Sequence, residues 1–260
     1  MQWEQLTQGE FGKAVKDTGL CVVPMGVLER HGEHLPLGTD FINAHAVAAL
    51  AARREPAVVF PPFYFGQISE ARHFSGTVAI GPRLLGDLLW AACDEIGRNG
   101  FDKILIYNGH GGNNAWLRFF VQGALHRRRP YTLYLCNGLA KSDLQAEIKK
   151  ICPTGGGHAH EEETCLTLAV APKLVKMDAV PAEPAGPLGR LRHLHAFTAI
   201  GWYADYPEHY SGDARDANAE KGQKVLEILV GALAELIREV KNDETAPRLE
   251  QEFFERAGEP

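Results

Sequence analysis

Four short apolar runs set the tightest limit on what this chain can fold into: residues 20–25, residues 57–60, "KILIYNG" at 103–109 and "YTLYLCN" at 131–137. They are continuous rather than alternating, which suits strands buried on both faces. Segments with helical spacing lie between and after them. Residues 83–98 place Leu85, Leu88, Leu89, Ala92 and Ile96 on one face, and 114–126 bring Trp116, Phe119, Phe120 and Ala124 near one another. The clearest helix covers about 213–240, with Val225, Leu226, Leu229, Val230, Leu233, Leu236, Ile237 and Val240 in register and Asp213 as a candidate N-cap. Strands alternating with helices predict an α/β fold with a mainly parallel central sheet and helices on both faces. Ligands of such sheets sit at the carboxyl ends of the strands, where the loops after 25, 107 and 136 emerge.

At 260 residues and 45% hydrophobic content, the chain is expected to form a single domain over 1–260. A formal net charge of −6, with only His126-Arg127-Arg128-Arg129 locally basic, offers no footprint for nucleic acid or for an anionic membrane. No stretch approaches the ~18 consecutive apolar residues of a membrane helix. The amino-terminal segment lacks the apolar core of a secretory signal, so a cytoplasmic location is expected. Five cysteines at irregular spacing read as reduced, packed thiols. Cys152 and Cys165 flank a histidine cluster, yet there is no C-x-x-C pair to suggest a thiolate metal site.

Three polar clusters interrupt the apolar pattern. The first, "GVLERHGEHLPLGTD" at 26–40, crowds Glu29, His31, Glu33, His34 and Asp40 after a core strand. Carboxylates and imidazoles together suit Zn²⁺, Mn²⁺ or Fe²⁺. Glu29 and His31, two apart in an extended segment, project to one side, and the bends at Gly32, Pro36 and Gly38 let Asp40 return to them. The plainer reading makes Asp40 the cap of a helix starting near Phe41. The second cluster, "YNGHGGNN" at 107–114, sets His110 among glycines that permit close backbone approach. It has neither the lysine of a Walker loop nor the G-x-G-x-x-G spacing. The third, "GGGHAHEEETC" at 155–165, leads into His158, His160, Glu161, Glu162 and Glu163. For Glu161 and Glu162, favourable interaction with the helix dipole and with solvent is explanation enough.

The three motifs resemble the creatininase (creatinine amidohydrolase) family. The first matches G-x-x-E-x-H-G-x-H-L-P-L-x-T-D, "NGHGGN" at 108–113 has its counterpart there, and "HAHEEETC" at 158–165 is similar to H-A-G-x-x-E-T-S. Softer matches are "HFSGTVAI" at 73–80 and "GDARDANAEKG" at 212–222. The resemblance implies a three-layer Rossmann-like sandwich and a hydrolase with two divalent ions per chain, zinc or manganese and sometimes iron, commonly a homohexamer acting on a small molecule. Carried over by position, Glu29 and His110 would hold one ion and His31 the other. Asp40 would bridge them, with Glu163 supplying the remaining carboxylate. A hydroxide shared by the ions would attack the carbonyl of a small cyclic or formyl amide. His158 would face the substrate and give a proton to the leaving group, and glycines 155–157 would let its loop move.

Departures from the family pattern bear on the substrate. Creatininases read N-G-H-Y-E-N in the second motif, where this chain has Gly111 and Gly112, and they carry a Trp-Asp pair where it has Thr154-Gly155. Creatinine itself is therefore not the expected substrate. His160 stands in place of a small residue and Cys165 in place of serine. Substrate contacts are expected from Gly111, His158 and His160, and from the segments 65–74 and 196–212, whose Glu70, Arg72, His73 and His209 could line a polar pocket. An oligomer contact is the other reading of 196–212. A lactone or oxidised inositol would suit the same centre, a non-catalytic metal-binding protein would keep it without turnover, and a nucleotide-binding oxidoreductase would lack its fingerprint here.

Overall fold

In the computed structural model, which describes residues 1–139, 142–154 and 156–258, the apolar runs become a parallel sheet. The elements are α1 (Gln8–Thr18), β1 (Leu20–Met25), α2 (Thr39–Arg54), β2 (Val58–Val59), α3 (Pro82–Arg98), β3 (Lys103–Asn108), α4 (Asn114–Gln122), β4 (Thr132–Asn137), α5 (Ser142–Ile151), α6 (Glu161–Val170), α7 (Gly201–Asp205), α8 (Ala219–Asn242) and α9 (Thr245–Ala257). The strand order is β2-β1-β3-β4, all parallel. Both neighbours of each inner strand point the same way, so the loops that leave β1, β3 and β4 share one edge. Register puts Met25 beside Asn108 and Asn108 beside Asn137 at that edge.

Alternate residues of the strands feed two separate cores, which is why the runs are apolar at every position. Leu20, Val22, Leu105 and Tyr107 face α2, α6 and α8, while Cys21, Val23, Ile104 and Ile106 face α3 and α4. The result is the expected three layers. Helices α6 and α8 touch backbone to backbone: a Cβ on Gly222 would lie 1.9 Å from the Cys165 carbonyl oxygen.

Three details differ from the sequence reading. Asp213 does not cap α8; it pairs with Arg215 at 2.7 Å in the preceding loop, and Asn218 accepts from the Lys221 backbone N–H instead. Phe119 points outward, 80% exposed, because the core face of α4 is the i, i+3 pair Leu117 and Phe120. The run 57–60 yields only a two-residue strand. All five cysteines are buried and none is in a disulfide, and among the described residues no helix is long and apolar enough to cross a membrane.

Candidate metal centre

The common edge of the sheet gathers the three motifs. Glu29 and His31 lie on the loop after β1, Asp40 in the first turn of α2, His110 on the loop after β3 and Glu163 in the first turn of α6. Glu29, His31, Asp40 and His110 are all buried. Their ligand atoms form two overlapping groups, Glu29 with Asp40 and His110, and His31 with Asp40 and Glu163, the atoms of each lying within 4.8 Å of one another. Asp40 belongs to both. It sits inside the helix, with Gly38 at the N-cap, so capping does not explain it.

Backbone carbonyls fix how the imidazoles face this centre. His110 Nε2 donates to the Gln67 carbonyl at 2.9 Å, which turns Nδ1 toward Glu29 Oε1 at 2.8 Å and Asp40 Oδ2 at 3.0 Å. His31 Nδ1 donates to the Glu29 carbonyl at 3.2 Å and presents Nε2 to Asp40 Oδ1 at 3.0 Å. Such outer partners orient ligating histidines in metal sites generally. Glu29 Oε1 and Asp40 Oδ2 are buried without a hydrogen-bond donor. Leaving carboxylate oxygens so placed costs several kcal/mol unless positive charge meets them.

The electrostatics say the same. Burial alone would lower His110, but Glu29 and then Asp40 hold its imidazolium well above the ordinary range. His31 is likewise lowered by burial and raised by Asp40, ending at about 9. Burial pushes Glu29 up, and the charges of His110 and His158 bring it well below the usual carboxylate range. Protons on these imidazoles answer the carboxylates, and a borderline divalent ion, which displaces such protons on binding, fits the mixed nitrogen and oxygen donors.

Around the centre, His158 Nε2 donates to the Arg30 carbonyl at 2.7 Å, and its ring lies 4.2 Å from that of His31. Burial and the neighbouring His31 charge keep His158 below its ordinary value. The backbone of His158 forms a two-way bridge with Ser211, holding its loop against the 207–212 segment. Glu163 Oε2 accepts from the Ala159 backbone N–H at 2.6 Å and lies 3.5 Å from His160 Nδ1. Burial would lower His160, but Glu162 and Glu163 raise it to about 10. A Cβ on Gly112 would lie 2.5 Å from His110 Nε2, so the His110–Gln67 bond requires glycine there. Gly155 lies outside the described residues.

Two cavities open here: one has His110 in its wall, and a second reaches the neighbouring Gly112. A polar one of about 230 Å³ is lined by Asp40, Gly111, Asn114, His160 and Glu163, among others. A wider cleft of about 1180 Å³ lies between the segments 65–74 and 196–212, with Gln67, His73, Trp116, Trp202 and Tyr203 among its walls.

Two residues do otherwise than the sequence reading holds. Glu161 is not a solvated dipole residue: it is fully buried and paired with Lys221 at 2.5 Å. His209 turns inward to the centre: it is 2% exposed, with Nε2 2.5 Å from Glu29 Oε2. No local spacing pointed to that contact, since the partners are 180 residues apart. His34, also buried, bonds Thr164 Oγ1 at 3.1 Å and ties the first motif to α6.

The creatininase (creatinine amidohydrolase) family model matches residues 4–237. Creatinine amidohydrolase of Pseudomonas putida is 28% identical over 256 residues, 90% of this chain and 95% of that protein. A mycofactocin precursor peptide peptidase of Mycobacterium ulcerans is 32% identical over 227 residues, 80% of each chain. A 3-dehydro-scyllo-inosose hydrolase of Thermotoga maritima is 26% identical over 266 residues, 92% of this chain and 83% of that one. Among solved structures, a manganese creatininase superposes with a TM-score of 0.79 at 25% identity, covering 93% of this chain and 99% of that one. A zinc–zinc form of a creatininase mutant gives 0.78 at 26% identity, covering 93% and 98%.

Proposed function

This chain belongs to the creatininase family of amidohydrolases, and from that premise we propose that it hydrolyses the C–N bond of a small amide with two divalent ions, zinc or manganese, held by its own loops. Glu29 and His110 would hold one ion and His31 and Glu163 the other, with Asp40 available to both. The observation that carries this reading is the pair of buried oxygens, Glu29 Oε1 and Asp40 Oδ2, converging on His110 Nδ1 with no donor of their own. Ions bound there would activate water at neutral pH and polarise the substrate carbonyl.

The residues do the rest. The carbonyls of Gln67 and Glu29 hold His110 and His31 in the tautomers that direct their second nitrogens at the centre. His158, whose Nε2 is 3.9 Å from Glu29 Oε2, is the proton carrier. As water's hydroxyl adds to the carbonyl carbon, the imidazole, kept neutral by burial, takes water's other proton and passes it to the nitrogen as the C–N bond breaks. His160 and Gly111 line the polar cavity that takes the amide head group, cyclic or formyl. His73 is a wall of the wide cleft, which favours a substrate with more than a single small ring. A lactone or oxidised inositol is the second reading, supported by the inosose hydrolase relative. A homohexamer is implied by the family resemblance and is read by sedimentation.

Metal analysis of wild type beside Asp40→Ala and Glu163→Ala, with a screen of cyclic amides, formamides, lactones and keto-inositols, tests the assignment. About two ions per chain are expected, falling in both variants. Unchanged metal in Asp40→Ala would refute the shared role.

A further inference from the structure

The segment 207–211 crosses the centre like a strap, and nearly every residue of it grips a different part of the site. The Pro207 carbonyl accepts from His73, Glu208 takes Arg30 at 3.1 Å, His209 reaches Glu29 and Ser211 bridges His158. His209 has φ 52°, left-handed backbone that a residue with a Cβ rarely adopts. Its surroundings must therefore hold it there.

The indole of Trp202 provides one hold. Trp202 Nε1 donates to His209 Nδ1 at 2.9 Å. An indole nitrogen can only donate, so His209 Nδ1 must be the acceptor, and the ring proton is left on Nε2. That N–H donates to Glu29 Oε2, with 2.5 Å between nitrogen and oxygen. Glu29 thus has one oxygen fixed by His209 and the other, Oε1, aimed at His110 Nδ1. Trp202 is also a wall of the wide cleft.

We propose that His209, locked in a single tautomer by Trp202, is a positioning residue that aims Glu29 at the metal, so that the cleft wall and the metal centre are mechanically one unit. The proposal rests on the metal-binding reading above. Its consequence is that an indole nitrogen outside the ligand set controls metal affinity.

The test has two parts. In wild type, nitrogen-15 NMR of the imidazole should show His209 Nδ1 as pyridine-type and Nε2 as pyrrole-type; the reverse pattern overturns the proposal without reliance on any variant. Manganese and zinc affinity is then measured by competition with a chromophoric chelator in wild type, His209→Asn, His209→Gln and Trp202→Phe. Asparagine tolerates the left-handed backbone but is too short to reach Glu29, and affinity should fall by about 10–100-fold, the loss typical of outer partners in metal sites. Glutamine, whose amide can donate to Glu29, should recover part of it. Trp202→Phe keeps an aromatic wall but loses the donor, and should fall by about tenfold, the low end of that range. If wild type binds no metal, the centre itself is refuted and this inference with it. If wild type binds metal and both His209→Asn and Trp202→Phe match its affinity, only this inference is overturned.

Discussion

Helix α6 borders two buried acid clusters that are neutralised in opposite ways. On one side Glu161 takes Lys221 Nζ on Oε1 at 2.5 Å, and the Thr154 backbone N–H and hydroxyl on Oε2 at 3.1 and 2.6 Å. Burial raises this carboxyl, but those bonds, Lys221 first, bring it below its ordinary value. On the other side Glu29 and Asp40 leave one oxygen each without a donor. Cys152 and Cys165 lie close enough to Glu161 to look like another ligand group. Proximity of ligand-type atoms is therefore a poor guide by itself. What distinguishes the clusters is the kind of cation the chain provides: at Glu161 it is a lysine, and at Asp40 only imidazoles, whose protons a divalent ion can replace.

Breaking that contrast gives the predictions. The largest effect belongs to Asp40→Ala, which should lose metal and fall to background hydrolysis while the apo protein loses little stability, because the His31 and His110 imidazoles can shed their protons once their partner carboxylate has gone; metal analysis and urea unfolding read both. Lys221→Met should do the converse. It strands Glu161 and costs about 3 kcal/mol of stability, the low end for breaking a buried pair because the lysine is 26% exposed, with metal content retained. Chelating the metal from wild type should remove about 2.7 kcal/mol relative to protein at one hundred times Kd, a shift absent in Asp40→Ala. The smallest effect is expected of Cys152→Ser: about 1 kcal/mol of destabilisation at most, as for many point substitutions, and unchanged metal. Metal lost in Cys152→Ser would erase the distinction between the two clusters.

The sequence made the sheet and the first motif legible for the same reason: both depend on near neighbours. Runs 20–25, 103–108 and 132–137 are apolar at each position because both faces are buried, and Glu29, His31 and Asp40 belong to one motif. His110 joins them because parallel register sets Asn108 against Met25, which alternation of strands and helices already implied. Partners far apart in the chain were hidden. Glu161 meets Lys221 across 60 residues, and His209 meets Glu29 across 180, with nothing local to mark either. Asp213 and Phe119 were misplaced because several short polar residues precede α8 and two adjacent phenylalanines cannot share one helix face.

The bare contact between α6 and α8 at Gly222 has a bearing on attempts to retrain this enzyme. Where two helices meet with no side chain between them, one added methyl must push α6 bodily, and Glu163 rides on that helix. A mutant library seeking new substrates should leave this seam untouched and vary the rim of the wide cleft, where Phe197 and Ile200 stand in solvent and can change without disturbing the mount.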